Sequence, residues 1–196
     1  FICIVSINSQ PISLKQNINW PEFMSRQDMV WEKLPEYWYE SAYLGNGRLG
    51  LMIYKEPGKN YLRLETGNCD VHDHRVQRDV FGIPRLLTGY FALHPKGEII
   101  SGKMRLDLWN AEASTDIITT KGIIHLQTFV HANDMVIPIK ATTEGEEHDF
   151  KWEWVAAEAN SPRYLLFKRR GQTNKIPKDY ALNPAPVINR KGDINL

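Results

Sequence analysis

Apolar and polar residues alternate with a period of two along most of this chain. Leu49, Leu51 and Ile53 share one side against Gly50 and Met52, and the run stops at Pro57-Gly58. Leu62 and Leu64 alternate with Arg63 and Glu65, and Met104, Leu106 and Leu108 with Lys103, Arg105 and Asp107. Ile124, Leu126, Thr128 and Val130 form one face of residues 122–131, and Met135, Ile137 and Ile139 form one face of the run after it. Phe150, Trp152, Trp154 and Ala156 share a side opposite Lys151 and Glu153. Such alternation puts successive side chains on opposite faces of a strand, and a single polar face marks antiparallel sheets. Short turns at 94–97, 121–122, 132–134 and 144–146 separate the runs. The pattern predicts an all-β fold, a large antiparallel β-sandwich, and excludes βαβ units. Pro138 cannot donate to a ladder, so its strand is predicted at an edge or a bulge. The predicted core comprises Leu49, Leu51, Leu62, Leu64, Met104, Leu106, Leu108, Ile124, Leu126, Val136 or Ile137, and Trp152.

Outside these runs the chain reads differently. Residues 17–43 are aromatic and broken by Pro21 and Pro35. A short helix is predicted at 22–33 and a strand at 37–40. Beyond Glu158 the alternation fails, apart from the apolar stretch Tyr164-Leu165-Leu166-Phe167. The expected organisation is therefore a leader over 1–16 and one sandwich domain over 17–196, irregular from 158 and cut short on its C-terminal side. The first residues, Phe1-Ile2-Cys3-Ile4-Val5-Ser6, fit either the tail of a secretory signal peptide or a buried first strand. The first alternative makes the protein secreted or periplasmic. No apolar run is long enough to span a membrane.

Charge narrows the partners. The chain carries 24 basic and 23 acidic residues, leaving no basic field to hold phosphates and arguing against nucleic acid. An acidic stretch at 144–158 and a basic one at 163–191 read as solvated surface. Two cysteines, Cys3 and Cys69, make no disulfide scaffold.

Gly45, Gly47 and Gly50 spell G-x-G-x-x-G, but a strand rather than a helix follows them, so no pyrophosphate site and no nucleotide cofactor are expected. Gly45, Asn46 and Gly47 are instead predicted to form a tight turn tolerant of positive φ. Arg48 follows, with Glu65 across the hairpin as its expected partner. The cluster Asn68-Cys69-Asp70-Val71-His72-Asp73-His74-Arg75 has metal-ligand residue types, but its spacing matches no four-ligand shell. Hydrogen bonds that hold a loop are the simpler reading, so no metal is assigned. Glu65, Asp70 and Asp73 could pair as glycosidase carboxylates, yet nothing in the sequence fixes their separation. No nucleophile elbow is present. Flat indoles stack on sugar rings; Trp152 and Trp154 fall on a core face, leaving Trp31 and Trp38, with His72 and His74, as the candidate glycan contacts.

Two stretches carry a resemblance. Residues 38–50, Trp-Tyr-Glu-Ser-Ala-Tyr-Leu-Gly-Asn-Gly-Arg-Leu-Gly, resemble the "W-x-x-A-x-P-x-GNGRLGAM" opening of the N-terminal domain of family 95 glycoside hydrolases, the α-L-fucosidase type. Residues 102–113 resemble the "R-x-L-D-L-x-x-A" strand of those domains, and 119–136 the segment after it. The likeness covers about residues 38–142 and extends equally to a divergent relative of that family. Leu64-Glu65-Thr66 stands where the family has Leu-Asn-Glu, and Tyr43 or Leu44 where it has proline. The resemblance implies a β-super-sandwich placed before an (α/α)6 barrel that holds the acid and the base. It therefore implies a non-catalytic module with that barrel as its partner, and carries over no catalytic residue. A stand-alone carbohydrate-binding module is the alternative.

Overall fold

A computed structural model describes residues 18–73 and 84–188. Their strands are β1 (Met29–Trp31), β2 (Ala42–Gly45), β3 (Leu49–Lys55), β4 (Leu62–Asn68), β5 (Gly89–His94), β6 (Ile99–Asp107), β7 (Glu112–Thr119), β8 (Gly122–Phe129), β9 (Ile139–Gly145) and β10 (Lys151–Ala156). They form two five-stranded antiparallel sheets. Sheet I runs β1-β6-β7-β8-β9 and sheet II runs β10-β5-β4-β3-β2. The protein is thus an all-β sandwich, as the alternation predicts.

The period-two faces meet in one core. Leu44, Leu51, Ile53, Leu62, Leu64 and Leu93 of sheet II share it with Met104, Leu106, Ala113, Ile117, Ile124 and Leu126 of sheet I. Burying each large aliphatic side chain contributes about 1.5–3 kcal/mol, and this term holds the sheets together. Leu49 and Ile137 pack on the rim, partly buried.

Several expectations are corrected. Leu108 lies one residue past β6 and is 38% exposed, because Asp107 accepts hydrogen bonds from the backbone N–H groups of Trp109 and Asn110 and turns the chain. Trp152 is also 38% exposed. Its register opposite Leu93 gives it the inner face, but β10 is an edge strand with no neighbour beyond it. Val136 is exposed, and the run from Met135 does not pair until Ile139, directly after Pro138. Strand β9 is indeed an edge, as the proline predicts.

The expected helix at 22–33 is only α1 (Trp20–Ser25), since the chain must extend again to lay β1 on β6. Asp28 fastens that strand, accepting from Arg105 Nε at 2.8 Å and from the N–H of Leu108 at 2.9 Å. Residues 38–40 form a 3-10 turn, and the strand before the glycines is β2 instead. The stretch around Tyr164 is helical, α2 (Pro162–Arg169), with a proline in its first turn. The possible leader and Cys3 lie outside the described residues. Among the described residues no helix is long and apolar enough to cross a membrane.

Candidate functional site

The glycine-rich segment forms the β2–β3 hairpin at one end of sheet II. Gly47 has φ +89°, the left-handed conformation that favours glycine, while Gly45 and Asn46 do not. Asn46 organises the turn through its side chain. Its carbonyl oxygen accepts from the N–H of Arg48 at 3.0 Å and of Leu49 at 2.8 Å. Its amide donates to the carbonyl oxygens of His131 at 2.9 Å and Asp134 at 3.3 Å, in the connection between β8 and β9. Arg48 does not reach Glu65. Its guanidinium pairs with Asp70 beyond the end of β4, because the hairpin tip carries Arg48 past the strand that holds Glu65.

Beside this hairpin lies a groove of about 370 Å³. Gly45, Gly50 and Gly67 occupy neighbouring register positions on β2, β3 and β4, on the side away from the core residues Leu44 and Leu51. Arg48, Arg85 and Leu86 stand around them. Asp70 engages Arg48, whereas Arg85 is exposed and has no side-chain partner among the described residues.

The sequence candidates fall in different places. Trp31 is partly buried against the core, and its indole N–H donates to the Glu40 carbonyl at 2.8 Å, so it is a structural side chain. Trp38 is 56% exposed. It meets Tyr39 edge-on at 5.6 Å, and Tyr39 lies parallel to Tyr37 at 5.3 Å. With exposed Tyr43 nearby in sequence, this is an aromatic surface patch. His72 bridges Arg85 by backbone pairing and lines a second hollow of about 360 Å³ with Asp73 and Asn183. His74 lies outside the described residues. Among the described residues no three His, Cys, Asp or Glu side chains are grouped as a metal site.

Three polar clusters escaped the sequence reading. On the outer face of sheet II, the Arg63 guanidinium lies 3.7 Å from the Tyr90 ring centroid and 5.6 Å from that of Tyr54. It also pairs with Glu56 at 3.1 Å and Glu65 at 3.3 Å. The Tyr54 hydroxyl donates to Glu65 at 2.6 Å and the Tyr61 hydroxyl to Glu56 at 2.6 Å. Burial, and then these carboxylates, push both phenols well above their ordinary range. The same hydrogen bond from Tyr61 is the main influence holding Glu56 below its usual value. The alternation of Arg63 and Glu65 was the available signal, but their aromatic neighbours come from β3 and β5, which pairing alone brings near. On sheet I, His125 lies between Asp116, 2.7 Å from Nδ1, and Glu144, 3.3 Å from Nε2. Finally, Glu147 is fully buried and accepts from the N–H of Lys96 at 2.9 Å, the N–H of Gly97 at 2.7 Å and the Thr119 hydroxyl.

The fold and this end of it define the class of protein, a two-sheet antiparallel β-sandwich with a grooved, glycine-lined hairpin end. No protein-family model matches the chain, and no curated protein matches it.

Proposed function

We propose that the chain is a non-catalytic N-terminal β-sandwich module of a secreted glycoside hydrolase, of the family 95 type or a divergent relative, packing on an (α/α)6 barrel of the same parent chain. The observation that supports this most is the hairpin that carries Gly-Asn-Gly-Arg-Leu-Gly. Its asparagine ties both sheets together, and its glycines floor a groove suited to form one wall of a substrate cleft. The test is the coding sequence after Leu196. A barrel-sized helical region that co-purifies with this domain and cleaves aryl-glycosides supports the reading; a continuation without one overturns it.

A second reading, a stand-alone carbohydrate-binding module, is favoured by the exposed Trp38 with Tyr37 and Tyr39 beside it. Aromatic faces of this kind stack on sugar rings. Tryptophan fluorescence titrated with neutral oligosaccharides separates the two. Saturable quenching that disappears in Trp38→Ala supports binding through the patch; unchanged fluorescence supports the packing role.

A further inference from the structure

Glycine in the interior of a strand weakens it, having no side chain to pack and more freedom to lose. Elsewhere in this sandwich the fold itself explains the residue. A Cβ at Gly145 would sit 2.8 Å from the Lys121 carbonyl oxygen, and one at Gly97 would sit 2.8 Å from the Glu147 carboxylate. The cross-strand partners Gly50 and Gly67 are different. A Cβ at Gly67 would meet nothing within 4 Å, and one at Gly50 would find only ordinary contacts at 3.8 and 3.9 Å. Neither has a positive φ. Neither packing nor backbone conformation calls for glycine there, yet both line the groove that Arg85 borders.

We propose that the groove over Gly50 and Gly67 binds an anionic sugar residue, a hexuronate, with its ring laid on the glycine floor and its carboxylate paired to Arg85. The inference rests on the glycoside hydrolase reading for its choice of a sugar. A volume of about 370 Å³ lies at the small-ligand end of the range for binding sites. A floor without side chains lets a disc-shaped ring approach the backbone closely. Asp70 offsets the charge of Arg48 and leaves the Arg85 guanidinium, among the described residues, as the free cation of the groove. The guanidinium fork matches two coplanar carboxylate oxygens, which a neutral sugar does not supply.

The test is calorimetric titration of the folded chain at low salt with trigalacturonate and with its uncharged counterpart galactotriose. The acidic trisaccharide is expected to bind at least about tenfold more tightly, as one charge-assisted pair warrants. Arg85→Gln should erase that preference. Gly67→Thr, a better strand former, should abolish trigalacturonate binding while the melting temperature holds or rises, a combination that a merely structural glycine would not give. Equal binding of the two sugars, binding of neither, or tighter binding of a sulfated galactotriose overturns the proposal. Retained binding in Gly67→Thr, or a clear fall in its melting temperature, overturns it as well. The search for a barrel in the coding sequence tests the hydrolase reading separately, so that reading stands or falls without this result.

Discussion

The side-chain amide of Asn46 donates to the carbonyl oxygen of His131, and so joins a hairpin tip of sheet II to the connection beyond β8 in sheet I. The same side chain accepts from two N–H groups of its own turn. One asparagine thus fixes a local turn and the relative placement of two sheets.

Replacing it separates those roles. Asn46→Ala is expected to destabilise the domain by about 1–3 kcal/mol, through two unsatisfied donors and a lost inter-sheet bond. Asn46→Asp keeps the acceptor and loses the amide donors, so its loss should be smaller. Urea denaturation midpoints measure both; equal losses would show that the two hydrogen bonds within the turn, which only the aspartate keeps, contribute nothing.

Gly47 gives a purely conformational prediction. A Cβ there meets no atom within 4 Å, but φ is +89°. Gly47→Val should therefore cost on the order of 1–3 kcal/mol through backbone strain alone, and Gly47→Asn distinctly less, because asparagine tolerates this region. Thermal melts that rank valine and asparagine alike would contradict the account.

Buried Glu147 should contribute a pH-dependent part of the acid stability. Burial raises its pKa, but bonds from Thr119 and from the N–H groups of Lys96 and Gly97 outweigh that and hold it below its ordinary 4.5. With the folded value below the unfolded one, the stabilisation is complete above about pH 4.5 and lost as pH falls through the folded value. Glu147→Gln should flatten this acid limb in stability-against-pH curves. Glu147→Ala should cost on the order of 2–4 kcal/mol at neutral pH, since three donors lose their buried acceptor.

His125 works in the opposite sense. The hydrogen bond to Asp116, with a further one to Glu144, raises its pKa above the ordinary 6.5 despite some desolvation. Its contribution is complete below that ordinary value and lost as pH rises through the folded one. In NMR titration the ring should change charge above pH 6.5, and Asp116→Asn should bring the transition back down. A ring that titrates at or below its ordinary value in the native protein would refute the arrangement.

Leu106 and Leu108 test where the sheet ends. Leu106 is nearly buried, so Leu106→Ala should cost about 2–5 kcal/mol. Leu108→Ala should cost well under 1 kcal/mol, as surface changes do. Chemical denaturation of the two variants reads the difference directly.

These leucines also mark how far the sequence is legible. Period-two alternation located β3, β4, β6, β8 and β10, because half-burial writes itself into composition. It carried on to Leu108 because alternation does not register a side-chain cap such as Asp107, which turns the chain back. Trp152 has the residue type and face of a core position, but edge status depends on strand order, and strand order is a long-range property. Residues 38–40 are aromatic enough for a strand, yet Trp31 must reach the Glu40 carbonyl, and a 3-10 turn presents it. At the candidate site the glycines were legible as a turn. The groove was not, since Gly50 and Gly67 become neighbours only through the β3–β4 register.

Strand order carries one further consequence. Strands β2 to β5 form a sequential meander in sheet II, and β6 to β9 form another in sheet I. Yet β1, which precedes the first meander, pairs with β6, and β10, which follows the second, pairs with β5. Each half of the chain has lent an edge strand to the other. Neither half can be excised with its sheet whole, and neither can melt without drawing a strand out of its neighbour. The pair should consequently unfold in a single cooperative step, with amide exchange in β5 and β6 slowing together rather than in separate blocks.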